Sequence, residues 1–105
     1  MANQNEREIA SVKINGKVID IIASRHAMKR MIERNVDKYI TASAVLALGH
    51  ERIAELQDNN DEAIVIDKAN NMSVVLGFNK NVITIITVIN RSNVFVKNNT
   101  EIHHI

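Results

Sequence analysis

The feature that most restricts how this chain can fold is a series of β-branched runs in its second half, each closed by asparagine. "EAIVIDK" (62–68), "MSVVLGF" (72–78), "VITIITVIN" (82–90) and "VFVKN" (94–98) are separated by "ANN", "NKN" and "RSN". Short apolar, β-branched runs bounded by turn residues read as antiparallel strands. Asparagine marks the turns because its side chain bonds nearby backbone and tolerates left-handed conformations. With no proline and only three glycines in the chain, the punctuation is read from asparagine and aspartate. "VITIITVI" is apolar at both parities except for Thr84 and Thr87. It therefore belongs in the centre of the sheet, under helices on one side. Thr87 shares the parity of Ile83, Ile85, Ile89 and Arg91, which puts these five on one face.

The first half is organised differently. "SVKINGKVIDIIA" (11–23) holds two β-rich runs around Asn15-Gly16, the signature of a hairpin with a type I′ turn. Ser24 follows as an N-cap, its hydroxyl reaching a first-turn amide. The expected helix runs from about Arg25 to Asn35, with Ala27, Met28, Met31 and Ile32 on one face and His26, Arg30, Glu33 and Arg34 on another. Asn35 is a stop signal. "TASAVLALGH" (41–50) is expected as a second helix capped by Thr41 or Ser43. It either ends at Gly49, the preferred reading, or continues through "ERIAEL" to Leu56 with an internal glycine that costs about 1 kcal/mol. The resulting expectation is an α+β fold: an N-terminal β-hairpin, two helices, then an antiparallel meander of about four strands with the helices on one sheet face. The other face calls for a cover, from the hairpin or from a partner. The 105 residues fit a single domain, 1–105, with flexible ends at 1–10 and 99–105.

Composition removes several function classes. The absence of cysteine excludes disulfides, thiolate metal sites and cysteine nucleophiles, and fits a reducing cytoplasm, the expected location. "MANQNEREIA" lacks the apolar core of a secretory signal, and the longest apolar run has eight residues against the roughly 20 that span a bilayer. No membrane partner is expected. His103-His104, and His50 beside Glu51, match no metal-ligand spacing, and no H-E-x-x-H or EF-hand pattern occurs. No metal or other cofactor is expected. No nucleophile elbow is present either. With a net charge of +1, any nucleic-acid role must rest on a local basic patch. The three aromatics Tyr39, Phe78 and Phe95 are too few for a base-stacking platform.

That patch has one candidate, "SRHAMKRMIERN" (24–35). His26, Arg30 and Arg34 recur every four residues, advancing about 40° per step, so they line one helix edge. Guanidinium forks match phosphate oxygens, and an imidazole exchanges protons near neutral pH. Together they suit metal-free RNA cleavage, with His26 serving the 2′-hydroxyl or the leaving oxygen and the arginines offsetting charge on phosphorus. Thr87 and Arg91, at the central strand's exit, and Lys29 beside the ladder are candidate helpers. The plainer alternatives are a solvated helix face with Glu33 pairing Lys29 or Arg30, and a His26 that locks the strand–helix junction by bonding a backbone carbonyl.

The same stretch resembles a known family. His26, Ala27, Arg30, Met31, Glu33 and Arg34 fill the pattern H-A-x-x-R-M-x-E-R, followed by the small-residue segment "ASAVLALG" and then strands. Over roughly residues 20–90 this resembles a small bacterial and phage domain grouped with RelE-like and BrnT-like toxins, within the barnase–EndoU–colicin–RelE ribonucleases. The resemblance implies a toxin-like, metal-independent endoribonuclease acting on RNA phosphodiesters. His26, Arg30, Arg34 and Thr87 would be catalytic, and Arg91 and Lys29 would bind substrate. Ile89 stands where members often carry an aromatic. That departure and the near-neutral charge motivate a second expectation, a non-catalytic phage or mobile-element protein that binds a host or antitoxin-like protein. A third is self-association as a homodimer.

Overall fold

The computed structural model describes residues 8–91 and 101–104. Two strands, β1 (Glu8–Ile14) and β2 (Lys17–Ala23), precede three helices, α1 (Arg25–Glu33), α2 (Lys38–Leu46) and α3 (His50–Asp58). Then come β3 (Glu62–Asp67), β4 (Met72–Phe78), β5 (Val82–Ile89) and β6 (Glu101–His104). All six strands form one sheet in the order β1-β2-β5-β4-β3-β6. The architecture is α+β, as the sequence patterning predicts.

Local chemistry accounts for the boundaries. Asn15 and Gly16 adopt φ of 52° and 80°, as a type I′ hairpin turn requires, and β1 pairs antiparallel with β2 around them. Asn35 and Asn60 also take φ of 52° and close α1 and α3 in the same way. Val36 N–H reaches Met31 O at 2.8 Å and Asn35 N–H reaches Ile32 O at 3.2 Å; Asp61 N–H reaches Leu56 O at 3.0 Å and Asn60 N–H reaches Gln57 O at 3.2 Å. Both are Schellman ends, with asparagine at the left-handed position usually held by glycine.

Two helices become three. Asp37, not Thr41 or Ser43, caps α2 by accepting from Tyr39 N–H at 2.8 Å. Thr41 lies inside the helix, fully buried, and donates its hydroxyl to Lys38 O. The chain does break at Gly49, whose φ of 88° lies in the left-handed region that favours glycine. The segment after the break is a helix, α3, instead of the start of the meander.

The hairpin does not cover the sheet; it extends it. β2 runs parallel to β5 from Asp20↔Val82 to Ala23↔Ile85, which places β5 third among six strands and under α1. β3, β4 and β5 form the expected antiparallel meander. The fourth expected strand, 94–98, lies outside the described residues. Both expected flexible ends contribute to the sheet in part: Glu8–Ala10 belong to β1, and Glu101–His104 form β6, parallel to β3. The main core lies between sheet and helices, with Ile21, Ala23, Val45, Ile53, Val65, Val74, Leu76, Ile83, Ile85 and Val88 all buried.

The β6 edge is tied to α3 by charge. Arg52 pairs with Glu55 on its own helix and with Glu101 on β6. His103 Nε2 stands 3.1 Å from Glu101 Oε2, a separation that by itself favours an imidazolium. Neither buried atom completes a hydrogen bond, however, and Glu101 is already matched by Arg52. Burial first, and the Arg52 charge second, hold the His103 imidazole below its ordinary value. The unfolded chain therefore takes up this proton more readily than the folded one. The stability His103 contributes is full above its unfolded value of about 6.5 and is lost as pH falls through the lower folded value. Urea unfolding at pH 7.5 and 5.5 should show a drop in stability at the lower pH that is smaller in His103→Gln.

Candidate functional site

α1 begins where β2 stops pairing, and that junction builds the site. β2 accompanies β5 only as far as Ile85, so the rest of β5 has an edge without a strand on that side. Ser24 meets it first: its N–H donates to Ile85 O at 2.9 Å and its hydroxyl to Ile86 O at 2.7 Å. The same hydroxyl accepts from Ala27 N–H at 3.0 Å as the N-cap of α1. Ten residues later, Arg34 Nη1 donates to Val88 O at 2.6 Å. Helix α1 is thus sutured at both ends to the carbonyls that β2 leaves open, which satisfies backbone groups that would otherwise be costly to bury.

The ladder residues descend one flank of α1. With Ala27 and Met31 facing the core, a 100° step puts Arg34 next to the sheet, Arg30 above it and His26 furthest out. His26 is exposed and makes no hydrogen bond or ion pair with any described residue. The strand–helix junction is locked by Ser24, so His26 is not the junction's structural histidine. Arg30 is half-buried and donates to Glu33 Oε2 at 3.1 Å. Lys29 is exposed, 3.9 Å from the Glu33 carboxylate. Arg34 is half-buried and fixed by Val88 O, with its remaining donors uncommitted among the described residues.

A bulge in β5 decides where one expected helper, Thr87, faces. It shifts the register between Val75↔Thr87 and Leu76↔Ile85, leaving Ile86 unpaired with β4. The extra residue reverses the alternation. Val88, not Thr87, rejoins Ile83 and Ile85 in the helix-side core. Thr87 therefore stands on the far face of the sheet from α1, which removes it from any set that includes His26. Ile86 itself lies over Gly77, where an added Cβ would come within 3.2 Å of its Cδ1. Arg91 is exposed beyond the end of β5, and its carbonyl accepts from the buried Ser73 hydroxyl at 2.7 Å.

Charge collects where the ladder is. Residues 24–38 carry five lysines and arginines against Glu33 and Asp37, a net +3, while the rest of the chain carries −2. Among the described residues, cavities of about 240, 350 and 340 Å³ open on the surface, and His26, Arg30 and Arg34 line none of these three. Among the described residues no three His, Asp or Glu side chains converge as a metal centre needs, and no helix is long and apolar enough to cross a membrane.

Sequence reasoning missed one surface. Periodicity groups Ile32 with the core face, yet it is 76% exposed. It and the half-buried Met28 border the 350 Å³ cavity on the flank of α1 opposite the ladder. The helical wheel holds the signal, since Ile32 lies about 140° from Ala27. No family model, curated protein or solved structure matches this chain.

Arg34→Ala should leave Val88 O unpaired on the β5 edge and lower stability by about 1–2 kcal/mol. Ser24→Ala, which also loses the cap, should cost about as much. Arg34→Lys should recover part of the loss in the same urea titrations.

Proposed function

We propose that the protein is a metal-independent endoribonuclease that engages RNA along the basic flank of α1. The observation that carries this reading is the graded ladder. One guanidinium is immobilised on the sheet by Val88 O, a second lies one turn away, and a solvent-open imidazole lies one turn beyond that. An arginine held by a backbone carbonyl keeps further N–H donors in a fixed fork, which lowers the ordering cost of gripping a phosphate. The local +3 supports attraction of a polyanion that the whole chain, at +1, would barely attract.

In this mechanism His26 takes the proton of a ribose 2′-hydroxyl. The 2′-oxygen then attacks phosphorus, and the 5′-oxygen of the next nucleotide leaves with a proton, from the same imidazole or from water. The products are a 2′,3′-cyclic phosphate and a 5′-hydroxyl. Arg30 and Arg34 offset the negative charge that builds on the phosphoryl oxygens. Arg30 must exchange some of its contact with Glu33 for phosphate. Lys29 adds a flexible outer cation, and Arg91 a contact beyond the strand end. With few aromatics to stack on, recognition rests on the backbone and is largely indifferent to base sequence.

The test is cleavage of an end-labelled RNA in EDTA, with product ends identified. Cyclic-phosphate ends should appear with the wild-type protein. They should fall about 100-fold or more with His26→Ala, in line with loss of a general acid–base group, while Arg30→Ala weakens RNA binding. RNA that is bound but left intact would replace this reading with a non-catalytic one. Cleavage undiminished by His26→Ala would remove the histidine from it.

A further inference from the structure

The flank of α1 that the ladder does not use has its own construction. The Schellman end folds Val36 back over Met31 through the 2.8 Å bond from Val36 N–H to Met31 O, and Asp37 then starts α2. The corner between the helices holds a cavity of about 350 Å³ lined by Met28, Met31, Ile32, Asn35, Val36 and Lys38. Met31, 4% exposed, belongs to the core and gives a firm floor, while Ile32 and Tyr39 stand 76% and 63% exposed. Ile32 forms an exposed apolar rim on this cavity, while Tyr39, beside Lys38, lines a neighbouring cavity with Ile40 and Ser43. Met28, half-buried at the rim, suits a surface that must adapt to side chains laid against it.

The charges around this surface are one-sided. Lys38 lines the cavity and stands 5.3 Å from the Tyr39 ring centroid. On the helical wheel Arg25 and Lys29 adjoin Ile32 on its solvent side. The nearby carboxylates are spent: Glu33 serves Arg30 and Lys29, and Asp37 caps α2. Arg25 and Lys38 pair with no carboxylate among the described residues. A second copy of the chain is a poor complement, because a two-fold contact sets the patch against itself and brings these cations face to face. RNA is equally poor, because an apolar floor with one tyrosine offers its bases little stacking.

The geometry points to a docking groove for an acidic amphipathic segment of a partner protein. Apolar side chains on one helical face would fill the corner over Met31, and carboxylates on the flanks would meet Lys38 and Arg25. This is helix-in-groove recognition, on the flank opposite the ladder and independent of RNA cleavage.

The probe is a fluorescein-labelled helical peptide of about two heptads, with leucines on one face and glutamates on the other. A control peptide carries lysine at each glutamate. In fluorescence anisotropy with the intact protein, the acidic peptide should bind and the lysine peptide should not. Ile32→Glu, at an exposed position that leaves the fold intact, should weaken binding at least about tenfold. Lys38→Glu should weaken it less. His26→Ala should leave peptide affinity unchanged, and Ile32→Glu should leave RNA cleavage unchanged, so the two sites fail separately. Equal binding of both peptides, binding of neither, or affinity unmoved by Ile32→Glu would overturn the proposal. So would a wild-type dimer in size-exclusion chromatography that Ile32→Glu dissociates.

Discussion

The parallel pairing of β2 with β5, and its early end at Ala23↔Ile85, governs the rest of the structure. A parallel neighbour needs a crossover connection, and here all three helices and two strands lie between the partners in sequence. Stopping β2 while β5 continues leaves carbonyls on β5 that something must satisfy. Ser24 and Arg34 do so, and they fix the angle at which α1 leaves the sheet. A single serine hydroxyl thus joins strand edge to helix start, donating to Ile86 O and accepting from Ala27 N–H.

The bulge at Ile86 belongs to the same arrangement. It marks the point where β5 loses β2 on one side and shifts register with β4 on the other. One extra residue reverses which side chains face the helices, so Val88 completes the core and Thr87 does not. The open edge of β5 and its altered alternation together decide which polar groups can meet the α1 flank.

Helix α1 consequently has two flanks with unlike chemistry. One descends from His26 through Arg30 to an arginine fixed on the sheet. The other is an apolar corner shared with the start of α2, beside Arg25 and Lys38, which pair with no carboxylate among the described residues. The two are separated by the solvent-facing Arg25 and Lys29 and by the buried Ala27 and Met31. The ladder is legible in the residue order alone, since recurrence at every fourth residue is a property of the helix itself. The engagement of Arg34 by Val88 O is not, because Arg34 and Val88 are 54 residues apart.

Alone, the sequence determined whatever rests on contacts among near neighbours. Asn15-Gly16, Asn35 and Asn60 close their turns and helices because they tolerate positive φ, and Gly49 breaks the helical stretch for the same backbone reason. Ser24 caps α1, and β3, β4 and β5 arise from short β-branched runs. Tertiary structure alone decided that the hairpin extends the sheet and that Glu101–His104 pairs with β3. It alone decided that Thr87 faces away from His26. Periodicity reports how a segment alternates, but it carries no information about which distant strand lies beside it. Pairing, register and bulges are set by that neighbour, and they fixed which residues of this chain share a surface.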